Sequence, residues 1–312
     1  MYKIGIDIGG TAIKFGLVSD KGEIVYRSTF DTAKTFDGVV SDIVDATKAV
    51  LDKFKLKINE IGGIGIGCPG LVVSKDGVVK SACNLGWENV PIVQTLKNFL
   101  DTKIVISNDA NVAALGEAVF GAGKGYDNII MITLGTGVGG GIVLDGKLFE
   151  GVNSLGTEIG HATLVHNGIQ CACGRKGCIE QYVSTSALVR NAKNAMIKNK
   201  DSILWKLTNN DIEQVNGKII FEAFRQGDRA TSIVVNEFIS YLADTIMSYN
   251  NIFRPEIFII GGGISNEGSL LTDMLVSYCS KFDYGCKGTP IPVISTAHLG
   301  NDAGLIGASR LV

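Results

Sequence analysis

His161, Cys171, Cys173 and Cys178 are spaced as H-x9-C-x-C-x4-C. One imidazole and three thiolates suit a closed tetrahedral zinc site with no position left for a substrate, so the metal they would hold is structural. Gly168, Gly174 and Gly177 supply the tight turns that a small chelate loop needs. The plainer reading is a set of reduced, buried cysteines, but three of them within eight residues beside a histidine argue for metal. His166 is an alternative ligand; His298 reads as a surface or satisfied core residue.

Three glycine turns follow apolar runs: Gly9-Gly10-Thr11, Gly135-Thr136-Gly137 and Gly261-Gly262-Gly263. Amides exposed at such turns bind anionic oxygens, and glycine lets a phosphate come close to the chain. Hairpins use glycine for steric reasons alone, so one such turn says little; two in matching places point to a ligand between two halves. Gly135, Gly137 and Gly140 formally match G-x-G-x-x-G, but the residues that follow read as strand and turn, not as the helix that a dinucleotide site requires.

Two aspartates stand in unusual company. Asp7 lies among isoleucines beside the first glycine turn, where burying a carboxylate is costly without a cation or several donors. It would organise Mg²⁺ through water beside a polyphosphate, or else be solvated at its strand end. Asp109 follows a strand and opens a helix. It is either a helix N-cap or a general base that takes the proton of a substrate hydroxyl during phosphoryl transfer. Asn108 and Asn111 beside it would hydrogen-bond a polar substrate. Glu158 and Glu180 flank the cysteine loop, which would hold them rigidly, and carboxylates accept hydrogen bonds from vicinal hydroxyls. That chemistry points toward a sugar, the alternative being solvated surface glutamates.

The elements that must position these residues follow from periodicity. Strands are expected at 2–8, 13–18, 23–29, 61–67, 104–106, 129–134, 142–144, 257–260 and 292–294. Helices are expected at about 39–54, 91–100, 109–121, 185–198, 218–226, 230–252 and 268–279, with one more at the C-terminus and a hairpin across 74–77. Residues 199–217 give no clear pattern. The opening order of strand, Gly-Thr turn and strand at 4–22 returns at 129–146, so the chain reads as two related halves.

The 312 residues include 40 glycines, 5 prolines and 7 cysteines, with 29 basic against 31 acidic residues. That length fits two domains. The balanced charge has no basic run, which excludes a nucleic-acid footprint. No apolar stretch is long enough to span a membrane, and the N-terminus reads as a core strand, not a targeting sequence. An odd number of cysteines without a secretion signal implies a reducing cytoplasm.

Several motifs together resemble one family. They are Asp-Ile-Gly-Gly-Thr at 7–11 with Lys14, Asn-Asp-Ala-Asn at 108–111 with Gly116-Glu117, and Leu-Gly-Thr-Gly at 134–137. Glu-Ile-Gly-His at 158–161 and Cys-Ala-Cys-Gly-Arg-Lys-Gly-Cys-Ile-Glu at 171–180 complete the set. The chain is identified as resembling the ROK family (repressor, open reading frame, kinase) of the sugar kinase and actin-like ATPase superfamily, in order and over essentially its whole length.

The resemblance implies an α/β protein of two RNase H-like domains with a cleft between them: 1–117 plus about 297–312, and a larger 118–296 carrying the zinc loop. It implies ATP with Mg²⁺ as phosphate donor, held near Asp7, Gly9, Gly10, Thr11, Lys14, Gly135, Thr136 and Gly137, with Gly261, Gly262 and Gly263 near the adenosine. It makes Asp109 the catalytic base, and it makes Asn84, Asn108, Asp109, Glu158, His161 and Glu180 contacts to a hexose. His161, Cys171, Cys173 and Cys178 become ligands of a structural Zn²⁺, and the assembly a homodimer. The implied activity is phosphorylation of a hexose 6-hydroxyl, glucose first, with N-acetylmannosamine and fructose as alternatives and polyphosphate as an alternative donor. A sugar-sensing regulator is the alternative of another class; the helix-turn-helix domain of the family's repressors is not expected, because the chain opens on its first core strand. Thr157 replaces the glycine common before the E-x-G-H glutamate, and Cys83 replaces the proline often found before Asn84; both bear on sugar preference.

Overall fold

Alternation of Ile4, Ile6 and Ile8 with Gly5 and Asp7 builds the first strand, β1 (Tyr2–Ile8), whose isoleucines are buried. The computed structural model describes residues 1–281 and 291–312; Cys286 lies outside the described residues. From β1 the chain continues through β2 (Ala12–Ser19), β3 (Ile24–Asp31), α1 (Phe36–Phe54) and β4 (Ile61–Cys68). A small meander follows, β5 (Leu71–Val73), β6 (Val78–Ala82) and β7 (Trp87–Val90), then α2 (Ile92–Lys97), β8 (Ile104–Asn108) and α3 (Asp109–Phe120). Next come β9 (Ile129–Leu134), β10 (Val138–Leu144), β11 (Lys147–Phe149), α4 (Glu180–Val183), α5 (Thr185–Lys198), α6 (Ile203–Leu207), α7 (Gly217–Arg225) and α8 (Arg229–Phe253). The last elements are β12 (Ile257–Gly262), α9 (Ser269–Cys279), β13 (Val293–Thr296) and α10 (Ala303–Ser309).

The described strands form two five-stranded sheets, ordered β3-β2-β1-β4-β8 and β11-β10-β9-β12-β13, and one three-stranded meander. The two orders are the same topology written twice. In the first, β1 pairs antiparallel with β2 and β2 with β3, while β1, β4 and β8 run parallel. In the second, β10 and β11 are antiparallel, while β9, β12 and β13 run parallel. The repeat read at 4–22 and 129–146 is therefore a repeat of sheet topology.

The chain divides into two compact units, one of Met1–Asp127, Gly141–Thr157 and His298–Val312, the other of Asn128–Gly140 and Glu158–Ala297. This division places residues 118–127 and 141–157 with the first unit, where the sequence reading had them in the second domain.

In the first unit α10 packs against α3, β1 and β4 so closely that glycine is required on every side. A Cβ on Gly65 would lie 1.7 Å from the Ala308 carbonyl oxygen, one on Gly5 2.0 Å from that of Leu305, and one on Gly307 1.7 Å from that of Val112. These neighbours are backbone, which cannot swing aside. Gly65→Ala is therefore expected to cost about 3 kcal/mol or more of stability, the upper end of overpacking penalties, read as a lowered denaturant midpoint. A change below about 1 kcal/mol would contradict the packing.

In the second unit, Asp228 caps α8 by accepting from the Thr231 amide at 2.8 Å and binds α6 through the Ile203 amide at 2.8 Å. Residues 199–217, unreadable by pattern, hold α6 and a short 3₁₀ turn, Ile212–Gln214. Neither spans enough residues to show a period, and both are fixed by local caps, Ser202 and Asp211.

Two expectations need correction. β10 starts at Val138, not at 142, because Gly140 and Gly141 are strand residues and not part of the turn. A Cβ on Gly140 would meet Ile159 Cδ1 at 2.0 Å, and one on Gly141 would meet Ala114 Cβ at 2.5 Å. The helix expected over 91–100 ends at Lys97, and β7, carrying Trp87-Glu88-Asn89-Val90, was not read from sequence.

Candidate active site

In a parallel sheet, the loops after the C-terminal strand ends are where ligands gather. In the first unit Asp7 of β1 pairs with Gly67 of β4, and Gly67 with Ser107 of β8, so Asp7 and the start of α3 share one edge. Asp7 is not a lone solvated carboxylate. Its Oδ2 accepts from Lys14 Nζ at 2.9 Å, and Lys14 also donates to the Asn301 carbonyl at 3.0 Å. The carboxylate lies so close to Gly304 that a Cβ there would meet it at 2.8 Å. Gly10 and Thr11 are exposed at the tip of the β1–β2 turn, which the bond from the Gly9 amide to the Ala12 carbonyl closes at 2.9 Å. Asn84, on a 3₁₀ turn, is exposed beside that tip, its Cβ 3.3 Å from where a Gly10 Cβ would stand.

Asp109 is not the cap of its helix. The N-cap of α3 is Asn108, whose Oδ1 accepts from the amides of Ala110 at 2.9 Å and Asn111 at 3.3 Å. Asp109 is the first helical residue. Its Oδ1 accepts from the Ala110 amide at 2.9 Å, and no lysine or arginine among the described residues forms an ion pair with it. Burial raises its pKa above the usual carboxylate range, and the negative charge of Asp7 adds to the rise. A carboxyl group tuned upward in this way is suited to accept a proton near neutral pH. Asn108, by contrast, is largely spent on structure, since its Nδ2 also donates to the Gly70 carbonyl at 3.1 Å. Asn111 is buried and accepts from the Thr157 hydroxyl at 3.0 Å.

This edge is supported by Glu117 and Thr157, both singled out in the sequence, and by Glu150, which was not. Glu117 is fully buried and accepts from the amides of Ala122, His298 and Leu299 at 2.9, 3.1 and 2.7 Å. Glu150 accepts from Ser74 Oγ at 2.8 Å and also from Ser107 Oγ. Thr157 has φ +64, a left-handed conformation costly for a β-branched residue, which explains why glycine would suit that position. Apart from the Ala122 amide, these partners are distant in sequence, so no local spacing announces them.

In the second unit, β9 and β12 end side by side, with Leu134 paired to Gly262; Gly261 and Gly262, expected in a turn, belong to the strand, and Gly263 after it adjoins the turn at 135–137. Gly262 has φ +85, and a Cβ on it would lie 2.2 Å from the Leu134 carbonyl oxygen. A cavity of about 610 Å³ opens beside Gly263, lined by Asn216, Lys218, Phe221, Arg225, Asn266 and Glu267 among others. Arg225 pairs with Glu267 at its edge. The family resemblance implied an adenosine near Gly261–Gly263, and nothing in the sequence announced the α7 residues that line this cavity.

His161, Cys171, Cys173 and Cys178 come together with all four ligand atoms within 4.8 Å of one another. Cys173 and Cys178 Sγ are 3.6 Å apart, and Cys171 Sγ is 3.7 Å from His161 Nδ1. A tetrahedron with metal–sulfur bonds of about 2.3 Å has edges of about 3.8 Å, which these two separations approach before any ion is placed. Burial, with the neighbouring thiols, pushes the Cys178 thiol up to about 12, so a metal must displace its proton. His166 is outside the cluster, exposed and beside Asn167 Nδ2 at 3.1 Å. Glu158 is exposed, three residues before His161. Glu180 opens α4, two residues past Cys178.

Two sheets of one topology, each with glycine turns at the ends of its parallel strands, define the two-domain α/β class of actin-like ATPases and sugar kinases. The chain belongs to the ROK family, whose model matches residues 3–312. It is 36% identical to the glucokinase of Thermotoga maritima, over 99% of this chain and 96% of that protein. The crystal structure of a ROK family glucokinase from Streptomyces griseus in complex with glucose and AMPPNP superposes with a TM-score of 0.82 at 36% identity, covering 100% of this chain and 99% of that one. The xylose repressor of Caldicellulosiruptor bescii is 30% identical over 87% of this chain and 68% of its own length. Among the described residues no helix is long and apolar enough to cross a membrane.

Proposed function

We propose that this chain is an ATP-dependent hexose kinase that phosphorylates the 6-hydroxyl of glucose. The observation that carries the reading is Asp109, released from helix capping by Asn108 and shifted upward by burial, at the sheet edge that also holds Asp7. A sugar sensor needs no such base. Similarity to glucokinases over nearly the full length supports glucose as the acceptor.

Asp109 accepts the proton of the 6-hydroxyl as its oxygen attacks the γ-phosphate in line. Asn84, Asn108, Glu158, His161 and Glu180 hold the sugar hydroxyls; Asn108 already spends its Oδ1 on two amides and one Nδ2 hydrogen on the Gly70 carbonyl. The turns at 9–11 and 135–137 present amides to the phosphates, and the cavity beside Gly263 takes the adenosine. Mg²⁺, when bound with the nucleotide, neutralises charge on the β- and γ-phosphates. Asp7 and Lys14 hold the polar edge at which that charge sits. His161, Cys171, Cys173 and Cys178 hold a structural Zn²⁺, which fixes the loop between Glu158 and Glu180. A cysteine-rich metal loop fits a reducing cytoplasm better than a disulfide framework, and family membership supports a homodimer.

ADP release from Mg-ATP with glucose, N-acetylmannosamine, N-acetylglucosamine, mannose and fructose tests the reading. Glucose is expected to exceed the others in kcat/KM by at least about tenfold, a difference of about 1.4 kcal/mol in transition-state binding. A preference for another sugar reassigns the acceptor, and no turnover with any sugar contradicts the kinase.

A further inference from the structure

Glu180 touches two loops of the second unit. Its Oε2 accepts from the Val138 amide at 3.1 Å, and its Oε1 lies 3.7 Å from Cys171 Sγ. A Cβ on Gly137 would stand 2.3 Å from Oε2, so the carboxylate occupies the space that any larger residue at 137 would need. Five residues on, the Thr185 amide donates to the Gly135 carbonyl at 2.8 Å. The segment 180–185 therefore grips the turn at both ends, and it leaves directly from the ligand Cys178.

We propose that Glu180, beyond any contact to sugar, is a positioning residue for the nucleotide. It fixes the Gly135–Val138 turn in the shape that binds phosphate, and its place two residues after Cys178 ties that turn to the metal loop through the chain. This rests on the reading of that turn as a phosphate site. Nucleotide affinity should then depend on Glu180 even when no sugar is present, which a purely sugar-binding glutamate would not produce.

The test is calorimetric binding of Mg-AMPPNP to the zinc-loaded protein without sugar, with zinc content measured on the same samples. Glu180→Ala is expected to weaken binding about tenfold, the loss of one hydrogen bond to a charged group, while keeping its zinc. Glu180→Gln retains an acceptor for the Val138 amide and should stay within about threefold of the parent. Gly137→Ala should weaken binding in the parent, yet cost almost nothing further in the Glu180→Ala background, because the atom it strikes is gone.

Parent-like affinity in Glu180→Ala overturns the proposal, as do additive losses in the double variant, which would mean that the alanine methyl itself obstructs phosphate. Loss of zinc from Glu180→Ala also overturns it, making Glu180 a support of the metal loop alone. Failure of the parent to bind Mg-AMPPNP removes the phosphate reading itself, a result distinct from all of these.

Discussion

Asp109→Asn is expected to lower kcat by about 10²–10⁴-fold, the contribution of a positioned general base, with glucose affinity changed by less than about threefold. The same substitution should raise thermal stability at neutral pH. Burial lifts the folded-state pKa of Asp109 above its unfolded value, so the folded protein holds the proton more tightly. Stability from this group is greatest at low pH and falls as pH rises from the unfolded pKa through the folded one. Removing the carboxylate removes that loss. The base must also be ionised to work, so kcat should fall on the acid side through a pKa above the usual carboxylate range of about 3.9. That limb should be missing from the residual activity of Asp109→Asn. Retained turnover, or a variant less stable than its parent at neutral pH, would contradict the assignment.

Cys171→Ser and Cys178→Ser should each abolish the bound zinc and lower Tm. Both thiols are buried; the Leu164, Val165 and Cys171 amides bond to carbonyls of the loop itself, and the Ile169 amide donates to the Tyr182 hydroxyl at 2.9 Å. Loss of a structural metal belongs among the few changes that cost about 4–5 kcal/mol. At about 2–4 °C per kcal/mol for a unit of this size, Tm should drop by about 8–20 °C. Glucose affinity should fall with it, since Glu158, His161 and Glu180 border or belong to the loop. Metal analysis and a thermal melt decide the matter. One zinc per chain in either variant would refute the ligand set, and a parent protein purified without zinc would refute the site.

How far the sequence led depended on whether the partners were local. The alternating isoleucines of β1, the Gly-Thr turns and the cysteine loop have their causes within a few residues, and all were legible. Asp109 was legible as a candidate but ambiguous, because Asn108 and Asp109 are both good caps and only backbone geometry shows which one caps. The Gly140-Gly141 pair read as turn, although glycine is there because Ile159 and Ala114 fill the space of a side chain. The cavity beside Gly263 joins segments about 40 residues apart, and the Glu180 link to Val138 joins segments of similar separation, so neither leaves a local pattern. Periodicity needs a longer window than the 5 residues of α6 or the 4 of β7 provide, which is why neither was read.

Phosphorus and proton NMR of the product formed from Mg-ATP and glucose tests the central claim most directly. Glucose 6-phosphate should accumulate in step with ADP, and neither should form at a comparable rate with Asp109→Asn. Phosphate on another hydroxyl, or ADP and inorganic phosphate without any phosphorylated sugar, would contradict it.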